Sequence, residues 1–308
     1  MDLVKDIKLT NGATPNEIIK QMGEAGGFQA THLAKALDIL EKTTKDKDCF
    51  KFLSFPADII ATGIRGLIVE LVKNKWVDCI ITTCGTLDHD LARTWGEYKS
   101  GSFVLDDKEL HKQGLNRLGN VLIPNEAYGP LLEEKMKPIL EKLYVEKKEW
   151  STKDLIATFG KHVENEESII YWCHKNNIPI IVPGITDGAF GYQLWFFSQE
   201  HKDFKINLFE DESYLNDIAF EKKTTSALIL GGGISKHHVI WWNQFKGGLD
   251  NAVYITTATE YDGSLSGAQT REAISWGKIK EDAKEVTVNG ELTLILPFLI
   301  AALKERLL

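Results

Sequence analysis

The chain has 308 residues, 43% of them hydrophobic and 26% charged, the profile of an ordinary soluble globular protein of one or two domains. Its 36 basic and 44 acidic residues leave a net charge of −8, which argues against a nucleic-acid binder and suits a cationic substrate. No apolar run reaches the roughly 18 residues of a membrane span. The opening MDLVKDIKLTNG lacks the apolar core of a signal peptide, so a cytoplasmic protein with no membrane partner is expected.

Helical periodicity covers residues 14–22 and 30–40, on either side of Gly26 and Gly27. From Phe50 onward, strand-like and helix-like runs alternate. Strands are expected at 50–55, 77–83, 120–123, 179–182, 227–230, 252–256 and 285–288, and helices at 59–73, 131–143, 152–162, 167–175 and 214–220. The runs that begin at Val77 and Ala227 are almost continuously apolar, as in a parallel sheet covered on both faces. The alternation predicts an α/β fold with a doubly wound, mostly parallel sheet and an N-terminal helical segment. Residues 1–49 are read as that segment and 50–308 as one compact domain, with the polar stretch 146–153 as a surface connection.

Ligands in such a sheet bind at the carboxyl ends of the strands. Small or polar residues cluster at four expected strand ends: 83–85, 184–188, 231–233 and 257–266. An apolar strand runs into Gly231, Gly232 and Gly233, then into a helix carrying Lys236, His237 and His238. Glycine lets a backbone approach a phosphate closely, and a helix N-terminus favours the anion. The GxGxxG fingerprint of dinucleotide-binding dehydrogenases is absent. Trp276 stands two residues before Lys278, and a pocket that desolvates such a lysine lowers its pKa until the free amine is a nucleophile. Taken alone, it reads more simply as a surface lysine. The cysteines Cys49, Cys79, Cys84 and Cys173 have no CxxC spacing, so no metal site or disulfide framework is expected. Cys84 is read as core or site lining rather than as a catalyst.

The stretches LILGGGISKHH, VYITTATEYDGSLSGA and EAISWGK, in this order, closely resemble deoxyhypusine synthase, an NAD-dependent family that modifies one lysine of translation factor 5A. The likeness continues through TGIRGLIVELV, TTCGTLDHDLAR, RLGNVLIPNEAY and SIIYWCHKNNIPIIVPGITDGAFG, and so spans most of the chain. The spellings LDHD and GYQLW look archaeal.

The resemblance implies a Rossmann-like NAD-binding fold and a catalytic pair. Lys278 would carry a covalent imine, and His237 would shuttle protons. The NAD positions carry over to Ala57, Asp58, Ala61, Thr83, Cys84, Gly85, Asp187, Gly232, Thr257, Ala258 and Glu291, an acid at Asp187 or Glu291 favouring NAD over NADP. Glu291 stands where the family has aspartate, and Asp58 and Ala61 depart from the eukaryotic asparagine and serine. The substrate positions are Asp88, His89, Tyr192, His237, Gly263, Ser264, Leu265, Glu272, Trp276 and Lys278. Three of these, His89, Tyr192 and Leu265, replace eukaryotic acids, and Asp90 or a residue of another chain is the candidate replacement anchor. His89 would serve only when neutral, so activity should rise through the histidine range. Lys236 is held as a phosphate neighbour, and His238 as structural.

Spermidine, the precursor of factor 5A and a homotetrameric assembly are the implied partners. The N-terminal segment either covers another subunit's site entrance or caps its own core. Two other readings stay open: a homospermidine synthase-like transfer to a free amine, and an NAD-binding protein without transferase activity.

Overall fold

A computed structural model describes residues 3–308. They form two compact units, one built from residues 3–55, 76–78 and 215–308, the other from 56–75 and 79–214.

The first unit is organised on four parallel strands in the order Ile279–Asn289, Leu249–Thr256, Thr224–Leu230 and Cys49–Phe55. Ala227 pairs with Phe52 on one side and Ala252 on the other. Leu249–Thr256 is buried along its whole length except at Asp250, because both faces of a parallel sheet are covered. Asp250 sits at the strand's start and is neutralised by Lys246 and Lys280. The sheet's carboxyl ends deliver Gly231 and Thr257 to the same edge.

The N-terminal helices belong to this unit. Pro15–Glu24 begins with a capping box: Thr14 and Glu17 each bond the other's backbone N–H. Phe28–Lys45 buries Leu33, Ala36, Leu37 and Leu40, an i, i+3, i+4, i+7 stripe, and packs on the strand Ile279–Asn289 and the helix Leu292–Leu307. Fully burying a leucine such as Leu37 contributes about 1.5–3 kcal/mol. These helices pack on their own chain's core. The expected boundary after residue 49 therefore falls inside this unit, and residues 50–308 contribute to both units.

The second unit contains a short parallel pairing, Ile80 with Ile180 and Ile81 with Ile181. Helices Arg65–Lys73, Cys84–Trp95, Ile169–Asn176 and Ala189–Glu200 belong to it. The expected helix 59–73 is broken. A 3-10 turn at Ala57–Ala61 ends where the Thr62 hydroxyl bonds the Ile59 carbonyl, and the α-helix starts at Arg65. The expected strand at 120–123 forms as Val121–Pro124, between Lys99–Ser100 and Leu115–Leu118 in a small antiparallel sheet.

Asp90 is wholly buried in this unit. It accepts from the Ser168 hydroxyl at 2.7 Å and from the N–H groups of Ile169 and Ile170, which fixes the start of Ile169–Asn176, and it pairs with Arg65 at 3.2 Å. Burial pushes its carboxyl up, while Arg65 pulls it down. These commitments remove Asp90 as a replacement anchor for a substrate amine. Among the described residues, no helix is long and apolar enough to cross a membrane.

Candidate active site

Lys278 lies at the foot of the strand Ile279–Asn289, where its backbone is pinned by bonds to Ala273 and Leu249. Its side chain is only 8% exposed. The ammonium stands 5.3 Å from the ring centroid of Trp276 and 5.9 Å from that of Trp241. It is 3.4 Å from Nε2 of His237. His237 projects from the first turns of the helix Gly233–Gln244, and its ring stacks on Trp241 one turn further on. Burial, and then the Lys278 charge, push the His237 pKa down, so its neutral form is favoured. A neutral imidazole beside a lysine ammonium can take a proton from it and leave the free amine.

These groups open onto a cavity of about 380 Å³. Glu272, on the short helix Thr270–Ser275, is the one carboxylate in its lining, and Leu265, Tyr254, Gln244 and Gln269 are among the other residues of its wall. The structure thus brings together Lys278, His237, Trp276, Glu272 and Leu265. Gly263 and Ser264 lie exposed on the adjoining loop 257–268. Sequence reading missed Trp241, Gln244 and Tyr254. The first two follow His237 by four and seven residues, a helical spacing that would have placed them on its face.

Lys236 is not a phosphate neighbour. Its amino group donates to the carbonyls of Leu265 at 2.8 Å and Ala268 at 2.6 Å, and lies over the Tyr254 ring. Burial lowers its pKa to about 8. It fastens the loop that carries the substrate positions. Gly232 answers to the same loop: a Cβ there would meet the Ser266 Cα at 2.3 Å, so only glycine lets the two segments pass.

The expected NAD positions divide between the units. In the first, Gly232, Thr257, Ala258 and Glu291 stand at or just beyond strand ends. The helix Gly233–Gln244 starts with no side chain capping its free N–H groups, an arrangement that fits a bound phosphate. Glu291 accepts from Leu294 N–H and the Thr293 hydroxyl, which caps Leu292–Leu307. In the second unit, Asp58 and Asp187 are exposed and Ala61 is buried. Thr83 precedes Cys84–Trp95 without capping it, and Gly85 follows in its first turn. Cys84 is fully buried, and burial, with Asp88 nearby, raises its thiol far above the range of a reactive cysteine.

Asp88 and His89 fill a buried cluster of the second unit. The Asp88 carboxylate accepts from the N–H groups of Ala189 and Phe190 at 2.8 and 2.7 Å and from the Tyr128 hydroxyl at 2.8 Å. It is 1% exposed, so its acceptors serve the start of Ala189–Glu200. A Cβ on Gly188 would strike Oδ2 of this carboxylate at 2.7 Å. His89 bonds the Tyr98 hydroxyl through Nδ1 at 2.8 Å, and burial pushes its pKa down to about 4. Its neutral form is therefore favoured. Tyr192 is 54% exposed on Ala189–Glu200.

The family model for deoxyhypusine synthase matches residues 17–303. The chain belongs to the deoxyhypusine synthase family. A Thermoplasma acidophilum relative named "probable deoxyhypusine synthase" is 57% identical over 298 residues, covering 97% of this chain and 96% of its own length. A relative of the same name from Ignicoccus hospitalis is 46% identical over 303 residues, covering 97% of this chain and 94% of its own length. A crystal structure of an Entamoeba histolytica protein described as a candidate deoxyhypusine synthase superposes with a TM-score of 0.68 at 23% identity, over 97% of this chain and 96% of that one, and so shares the fold. Membership makes the chain a transferase enzyme, which sets aside the reading of a binding protein without transferase activity.

Proposed function

We propose that the chain moves the 4-aminobutyl group of spermidine onto one lysine of translation factor 5A, with Lys278 as covalent carrier and His237 as proton acceptor. The observation that carries this reading is the buried Lys278 amine, 3.4 Å from His237 Nε2 and flanked by two indoles in a cavity with one carboxylate. NAD, when bound, supplies the hydride acceptor for oxidising the amine and the hydride donor for the final reduction. In the first unit, the uncapped start of Gly233–Gln244 would receive its phosphate, with Thr257 and Ala258 beside it and Glu291 offered to a ribose hydroxyl. The second unit's Ala57, Asp58, Ala61, Thr83, Gly85 and Asp187 keep their NAD assignment on the family resemblance.

Lys278 acts as an amine. His237 accepts its proton, and the nitrogen lone pair attacks the imine carbon of the oxidised donor. The C–N bond to the propyl side breaks, 1,3-diaminopropane leaves with the proton that His237 returns, and the butyl group stays on Lys278 as an imine. The acceptor lysine attacks the same carbon, and Lys278 leaves as the free amine. Exchange of one imine for another avoids a free aldehyde. Glu272 and Trp276 orient the donor, by charge and by the indole face respectively. A translation-factor acceptor places this chemistry in the cytoplasm, and the homotetramer of the family belongs to the same proposal.

Incubation with labelled spermidine, NAD and purified factor 5A, followed by borohydride, tests the reading. Wild type should retain label on the peptide containing Lys278, and Lys278→Arg should retain none, because arginine cannot give up its proton to form the imine. Label on the arginine variant at wild-type level would remove Lys278 from the carrier role. Accumulation of homospermidine with unlabelled factor 5A would move the acceptor from protein to free amine.

A further inference from the structure

The loop between Thr256 and Thr270 supplies one wall of the cavity, through Leu265, Ala268 and Gln269. A loop without secondary structure of its own drifts unless something ties it down. This one is compact. Thr259 and Gly267 meet so closely that a Cβ on Gly267 would stand 1.8 Å from the Thr259 carbonyl oxygen. Its ends are tied to the sheet: the Ala258 N–H donates to the Thr256 hydroxyl at 3.1 Å, and the Thr270 N–H to the Thr287 hydroxyl at 3.2 Å. The stretch that lines the cavity lies between these two ties.

Lys236 holds that stretch. It is 1% exposed, so it stands behind the wall rather than in the path of a donor. Its ammonium donates to the carbonyls of Leu265 and Ala268, and it lies 4.3 Å from the ring centroid of Tyr254, one acceptor for each N–H. Helix, strand and loop therefore meet at a single ammonium, all within the first unit of one chain. A buried charge is costly, and an apolar side chain of similar size often serves stability as well or better. The lowered pKa of Lys236, about 8, reflects that cost. What the ammonium provides, and a methionine does not, is direction: its donors keep two carbonyl oxygens in fixed places.

We propose that Lys236 is a positioning residue for the amine donor, fixing the wall formed by Leu265, Ala268 and Gln269 without touching the donor or the reacting atoms. The proposal rests on the assignment of this cavity to the amine donor. Lys278 and the cofactor positions at the start of the loop are held independently of it. The Lys278 backbone is pinned by Ala273 and Leu249, and Ala258 by Thr256. Releasing Lys236 therefore loosens donor binding and leaves the transfer chemistry and the cofactor in place.

Steady-state kinetics, NAD titration and hydrogen exchange on the full-length protein test it. Lys236→Met should raise KM for spermidine about tenfold with kcat held within about twofold, the pattern of lost uniform binding. NAD affinity and the urea unfolding midpoint should stay at their wild-type values. Amides of residues 261–268 should exchange faster in the variant, while those of Thr224–Leu230 and Leu249–Thr256 should not. Lys236→Gln, which keeps two N–H donors on a shorter stem, should give an intermediate KM. A wild-type KM or unchanged loop exchange in Lys236→Met overturns the proposal. So does a joint fall of kcat, NAD affinity and unfolding midpoint, which would make Lys236 a core residue only. These failures leave the covalent reading standing. Absence of a borohydride-trapped Lys278 adduct in wild type overturns that reading, and the proposal with it.

Discussion

At the scale of single residues, the pair proposed as catalytic was legible because it sits in short, distinctive strings. SKHH supplies His237 and SWGK supplies Trp276 and Lys278, and the fold brings His237 Nε2 to within 3.4 Å of the Lys278 amine. Their mutual electrostatics gives a prediction. Burial is the larger cause of the lowered His237 pKa and the Lys278 charge the smaller, so removing the charge should recover only part of the shift. NMR titration of the ring should give a midpoint below ~6.5 in wild type. Lys278→Met should shift it upward without restoring the free value, while Lys278→Arg, which keeps the charge, should leave it near wild type. A midpoint identical in all three would show that the lysine does not face the imidazole. What stayed illegible at this scale was the far wall of the cavity. Trp241 and Gln244 carry no motif, and only the helical spacing from His237 reveals them.

Whole elements were readable where burial is one-sided or where a strand is buried throughout. Thr224–Leu230 and Leu249–Thr256 announced themselves as continuous apolar runs. Two helices did not. Cys84–Trp95 buries its polar residues Thr86, Asp88, His89 and Asp90 along with Leu87 and Leu91, so no solvent face marks a period. Ala189–Glu200 exposes Tyr192, Trp195 and Phe196, so its apolar residues fall on both faces. The motif residue Asp88 consequently carried a role that spacing could not display, that of holding the start of Ala189–Glu200. Removing it in Asp88→Ala strands two N–H groups and the Tyr128 hydroxyl, which should cost about 2–4 kcal/mol of stability. Asp88→Asn, retaining one acceptor oxygen, should recover part of this. Denaturant midpoints measure both. A raised KM for spermidine in Asp88→Asn at unchanged stability would return the residue to the substrate site.

On the scale of the whole molecule, the parallel α/β architecture was legible from alternation, but the division into two units was not. The first unit draws on three separate stretches of chain, and no proline-, glycine- or serine-rich linker marks where the chain leaves it. Both units nevertheless share a device that governs the behaviour of the molecule in acid. His89 in the second unit and His238 in the first are each held at a pKa of about 4, chiefly by burial. An unfolded histidine titrates near ~6.5. Between these values the unfolded chain binds protons that the folded one refuses, and stability must rise with pH wherever the unfolded state binds more. The contribution is therefore complete above ~6.5 and is lost as pH falls towards 4, at up to about 1.4 kcal/mol per pH unit for each histidine. Asp88 and Asp90 oppose this trend, since burial raises their carboxyls and favours the folded state in acid. The histidine share is isolated by comparing variants. Urea midpoints taken from pH 7 to pH 5 should fall steeply in wild type and more gently in His89→Gln and in His238→Gln, which stay neutral throughout. The double variant should be flatter than either, because the two sites lie in separate units and their effects should add. Equal slopes in all four proteins would show that neither imidazole is held neutral by its surroundings.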